Sequence, residues 1–213
     1  MKQWLRDRKN RSGIKGSQQM YRDVMLDIET TSTNAFRSKI LSLGAVRFRV
    51  DTMDDWESIS QEDRTFYARL DTDEQEDRIE DEDTMKWWSE QSEEARAVFD
   101  EEPESVKDVL KRFTEFTKGA KRIWGNGNVF DNTNLRELYE DNDLEYPVEF
   151  WGDLDMRSFR YVWNKLCSFP NKGAPPVVKG IKGALHNALV DAKKQVMQMQ
   201  KMYSQMRGTK YGA

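Results

Sequence analysis

The chain of 213 residues has one cysteine, Cys167, and one histidine, His186. A lone cysteine excludes an internal disulfide and a thiolate zinc centre, and makes a reducing compartment the default expectation. A lone histidine excludes His-rich metal sites, so any imidazole chemistry falls to His186. No apolar run approaches the ~20 residues that a membrane-spanning helix needs. The first residues lack the apolar stretch of a secretory signal. Hydrophobic residues are 37% of the chain, charged residues 34% and aromatics 11%. That balance describes a soluble protein with a core and a heavily charged surface, not a disordered chain.

The net charge of −4 hides an asymmetry. Residues 1–22 are net +6, residues 51–104 net −17 and residues 105–213 net +6. The basic ends suit a polyanionic partner, which the acidic stretch must face away from. Residues 1–20 read as a flexible basic tail and 208–213 as a disordered C-terminus.

The run 21–31 is apolar at Val24, Met25, Leu26 and Ile28, the pattern of a strand covered on both faces. Strands follow at 39–50 and 63–70, which suggests an antiparallel meander. Residues 71–83 are mostly acidic and read as a solvated loop or helix start. Helices are expected over 84–100 and over 103–118, the second with Pro103 in its first turn. Next come a strand at 121–126, a helix from Asn128 to Glu140, a short strand within 149–157 and a helix through Cys167. A Pro/Gly-rich loop at 168–183 leads to a last helix, Asn187 to Met206. The class is α/β with a mixed sheet.

Asp27 and Glu29 lie two apart on the first strand, so both carboxylates share one face. Buried acids need a cationic partner, and Mg²⁺ or Mn²⁺ binds carboxylate oxygens. Strand-end acids that simply reach solvent are the ordinary explanation. Asp131 falls at a helix start, where an acid aids any helix. His186 and Asp191 are five apart, an offset of about 140° on a helix, so they cannot share a helical face. If both serve one site, His186 precedes the helix, Asn187 caps it and Asp191 lies in its first turns.

Together these residues resemble the DnaQ-like exonucleases of the DEDDh subgroup, within the ribonuclease H-like fold. The matching segments are LDIETT with Asp27 and Glu29, FDNTNL with Asp131, and HNALVDA with His186 and Asp191. The resemblance covers residues 21–207. WGNGNVFD, KWWSEQSEEAR and LDMRS around Asp155 are similar to the phage exonuclease A (DexA) branch and its bacterial relatives. The resemblance implies a mixed sheet of three antiparallel strands plus parallel ones, flanked by helices. It implies 3′→5′ hydrolysis of single-stranded nucleic acid, DNA favoured and RNA possible, with release of nucleoside 5′-monophosphates. Two divalent cations, Mg²⁺ or Mn²⁺, would be held by Asp27, Glu29, Asp131 and Asp191, with His186 as general base. Thr30 and Thr31 would contact the terminal nucleotide, and Phe130, Trp87 and Trp88 are candidates to stack on bases, against ordinary core packing. The implied setting is a bacterial or phage-infected cytoplasm, with a homodimer possible. Two alternatives stay open: a non-catalytic nucleic-acid mimic or adaptor, prompted by the −17 segment, and a ribonuclease H-like endonuclease. A complete set of five site residues argues against the first.

Overall fold

A computed structural model describes residues 21–167 and 174–208. The basic tail, positions 168–173 of the Pro/Gly-rich loop and residues 209–213 lie outside the described residues. The strands are β1 (Asp23–Thr30), β2 (Ile40–Phe48), β3 (Thr65–Arg69), β4 (Arg122–Gly125) and β5 (Asp153–Asp155). The helices are α1 (Trp56–Ile59), α2 (Glu82–Ser89), α3 (Glu93–Arg96), α4 (Val106–Phe116), α5 (Asp131–Asp141), α6 (Met156–Cys167) and α7 (Ala188–Gly208). One sheet runs in the order β3-β2-β1-β4-β5. β1 pairs antiparallel with β2, and β2 with β3; β1 pairs parallel with β4, and β4 with β5. This is the mixed sheet expected from sequence.

The two-residue period of β1 divides the molecule. Val24, Leu26 and Ile28 face one layer, where Val109, Leu110 and Phe113 of α4 and Leu135 and Leu138 of α5 pack. Met25 faces the other layer, with Met156 and Trp163 of α6 and Ala192, Val196 and Met199 of α7. Asp27 and Glu29 continue that second face. At about 25 cal/mol per Å² of apolar surface, covering both faces of β1 stabilises the sheet centre.

Three expectations change. The acidic stretch is not only a solvated loop: Gln75 and Arg78 are buried within it. The Gln75 amide bonds both the N–H and the C=O of Ile40, at 2.8 and 3.0 Å. Arg78 donates to the Ser38 carbonyl at 2.8 Å and to Asp141 at 2.8 Å. The acids face water while these two polar residues tie the segment to β2 and α5. Second, α4 starts at Val106, not Pro103, because Glu74 of the same segment accepts from the Val106 N–H at 2.8 Å. A cap supplied from a distant segment has no local signature. Third, α5 starts at Asp131 rather than just after Asn128, since the chain turns through Gly127 at φ 123° first.

Candidate active site

Three elements and the loop before α7 converge at the carboxyl ends of the parallel strands. β1 brings Asp27 and Glu29, the first turn of α5 brings Asp131, and the first turn of α7 brings Asp191. His186 stands two residues before α7 with φ 61°, outside the helix, as the five-residue spacing requires. Asn187 caps the helix, its side chain accepting from the Val190 N–H at 3.1 Å. The His186 N–H donates to Asp191 Oδ2 at 3.0 Å, so the loop and the first turn brace each other.

Close approach is possible because of Gly44. In the β1–β2 register Gly44 stands opposite Asp27. A Cβ at Gly44 would overlap the backbone of Ala188 and Leu189, so the start of α7 rests directly on β2. That contact sets Asp191 over the two strand acids.

Donor atoms of Glu29, His186 and Asp191 lie within 4.8 Å of one another. Asp27 and Asp131 are outside this tight group but belong to the same electrostatic cluster. Burial pushes the Asp27 carboxyl well above the usual carboxylate range, and Asp131, Glu29 and Asp191 push it further. Glu29 is pushed up to about 8 by burial and by Asp191 and Asp131. Burial raises Asp131 to about 7, against the opposing pull of Arg157. These shifts have one cause: acids crowded in a dry place favour the neutral form unless positive charge is supplied. Lys194 lies 3.6 Å from Asp191. Oxygen donors plus one imidazole, at this crowding, fit a hard divalent cation.

Gln195, one turn after Asp191, is a site residue that the sequence reading missed. Its Nε2 donates to Asp27 Oδ1 at 2.6 Å. The available signal was spacing: positions 191 and 195 share a face of α7.

A cleft of about 560 Å³ opens beside Glu29, lined among others by Thr30, Trp87 and Phe130. Trp87 is 41% exposed and its ring stands edge-on to His186 at 4.9 Å. Trp88 also borders the cleft but is 2% exposed, packed with Leu41, Ala95 and Val98, and its indole donates to the Thr30 carbonyl at 2.9 Å. It is a wall rather than a stacking surface, which corrects the expectation for it. Thr31 is corrected too: it is 1% exposed and its hydroxyl donates to the Ile79 carbonyl at 3.1 Å. Thr30 keeps a place on the cleft, its hydroxyl donating to the Ser32 carbonyl at 2.8 Å.

The fold is a ribonuclease H-like scaffold, and the family that the sequence matches makes the chain a 3′-5′ exonuclease. The chain belongs to the Rv2179c-like 3′-5′ exoribonuclease domain family, whose model matches residues 22–203. Solved structures share the fold at low identity. The nuclease domain of 3′hExo, a DEDDh family member bound to rAMP, matches with a TM-score of 0.57 and 16% identity, over 87% of this chain and 93% of that one. E. coli exonuclease I in complex with a dT13 oligonucleotide gives 0.58 and 15%, over 87% of this chain, which spans only 42% of that enzyme. S. pombe Pop2p in its Mg²⁺- and Mn²⁺-bound form gives 0.52 and 10%, over 90% of this chain and 86% of that one. No curated protein matches the sequence. Among the described residues, no helix is long and apolar enough to cross a membrane.

Proposed function

We propose that this exonuclease removes nucleoside 5′-monophosphates from the 3′ end of single-stranded RNA, with two divalent cations and His186 as general base. The convergence of Glu29, His186 and Asp191 within 4.8 Å, beside a cleft that ends on Trp87, carries the reading. Asp27, Glu29 and Asp191 would hold one Mg²⁺ or Mn²⁺, and Asp27 with Asp131 the other. Bound there, such a pair supplies an activated water and neutralises charge that builds on the phosphate.

The chain's own groups do the rest. Gln195 fixes one Asp27 oxygen. His186 takes a proton from the attacking water. Its ring is oriented by Trp87 and its backbone by Asp191. Trp87 and Phe130 offer apolar ring surface to the terminal base, and Thr30 borders the terminal sugar. The family's exoribonuclease description favours RNA over DNA. The DNA preference expected above rested on the segments similar to phage exonuclease A, which give no physical reason for a deoxyribose.

The test uses 5′-labelled single-stranded RNA and DNA with Mg²⁺, Mn²⁺ or EDTA. The expected result is stepwise shortening from the 3′ end, mononucleotide products, faster loss of RNA and no cleavage of a circular strand. Hydrolysis in EDTA or internal cuts would overturn the mechanism. Equal or faster loss of DNA would overturn the RNA assignment.

A further inference from the structure

Between Asp155 and Asp191 the chain has no acidic residue and six Lys/Arg, in a protein with 38 acids in all. α6 opens this stretch. Its inward side is Met156, Phe159 and Trp163, packed with α7 under the sheet. Its outward side carries Arg157, Tyr161 and Lys165, each four residues from the next and each exposed. Positions i, i+4 and i+8 form one stripe along a helix. Tyr161 is 64% exposed and Lys165 Nζ lies 5.4 Å from its ring centre. Core packing therefore does not account for the tyrosine.

The stripe begins at the active site. Asp155, at the foot of α6, accepts from the Asn128 N–H at 3.3 Å, in the turn that leads to Asp131. The Arg157 guanidinium lies against Gly127 of that turn, where a Cβ would stand 2.9 Å from its Cζ. It is near enough to Asp131 to oppose the rise in that acid's pKa. The cleft itself is lined by Asp81 and Asp83 among others. A polyanion is repelled by those acids and attracted by the cations of α6.

We propose that the outer stripe of α6 is the track for the strand that precedes the 3′ terminus. Arg157 and Lys165 contact phosphates, and the Tyr161 ring stacks on a base. The stripe is about 12 Å long, the reach of about two nucleotides. Phosphate contact and stacking are common to RNA and DNA, so both bind the track alike. The inference rests on the proposed nuclease function, but it concerns binding beyond the reacting nucleotide.

The test variant is Tyr161→Ala/Lys165→Ala; Arg157 stays in place because it touches the turn that holds Asp131. Hydrolysis of a dinucleotide, which reaches Arg157 at most and not Tyr161 or Lys165, should stay within about twofold of wild type. For labelled 20-residue RNA and DNA, KM should rise about tenfold or more at low salt with kcat little changed. The slope of log affinity against log salt should shrink by about 0.7, one phosphate contact. Tyr161→Phe/Lys165→Arg should restore binding. The same oligonucleotides are also titrated by fluorescence anisotropy in EDTA, so binding is read without turnover. A wild-type protein that binds but never cleaves removes the nuclease reading, while the anisotropy still decides the track. Unchanged anisotropy affinity, an equal loss on the dinucleotide, or a loss confined to one of RNA and DNA would overturn the proposal.

Discussion

His186 holds a left-handed backbone conformation, φ 61°, that costs an L residue about 1–2 kcal/mol. The strain aims the imidazole at Glu29 and Asp191 instead of along α7. Glycine enters that region freely. His186→Gly should therefore melt above His186→Ala, by about 1 kcal/mol in unfolding measurements, while both lose roughly 10²–10⁴-fold in turnover. Equal stability of the two variants would show that the strain is absent, and near-normal turnover would remove His186 as the base. The pairing of Asp27 with Glu29 was legible from a period of two, and the place of His186 from a spacing that no helix face can satisfy. Burial was not legible. Trp87 and Trp88 are neighbours in sequence, yet one faces the cleft and the other the Leu41 cluster. Only the docking of α2 decides between them.

Among the elements, α7 depends on a missing side chain. Gly44 lies in a largely apolar strand, ILSLGAVRF, and nothing local explains a glycine there. Its reason is the helix that arrives from the far end of the chain. Gly44→Ala must shift α7 or bend β2, and an overpacked contact of this kind costs about 1–3 kcal/mol. Turnover should fall further than stability implies, because Asp191 and His186 move with the helix. Denaturant unfolding and single-turnover rates on the same variant check this; a stable variant with full activity would show that α7 does not rest on Gly44. Most element types and their order were legible because apolar spacing is local; α1, between β2 and β3, was not. The start of α4 was not, since its cap comes from Glu74. Nor were the anchors Gln75 and Arg78, hidden in a segment whose composition reads as solvated.

On the scale of the whole molecule, the acid cluster links stability to pH. Glu29 and Asp131 hold protons up to about 8 and about 7, whereas unfolded carboxylates release them near 4. Across that interval the native state binds more protons than the unfolded one, so stability falls as pH rises. Metal-free protein should melt lower at pH 8 than at pH 5, and saturating Mg²⁺ should reduce the difference by replacing the protons. Asp27→Asn should flatten the metal-free profile. A melting temperature that rises with pH in EDTA would contradict the crowding of these acids. The convergence of the chain's two halves has another consequence, in the order of synthesis. Asp27 and Gln195 form one hydrogen bond across 168 positions of sequence. A growing chain can make β1 to β5 and pack α4 and α5 against them before Asp191 exists. Until α7 leaves the ribosome, that intermediate carries the two strand acids without Asp191 beside them. The candidate site is thus assembled only as α7 docks on β1 and β2, and a chain stalled before that point has its strand acids but not the group that faces them.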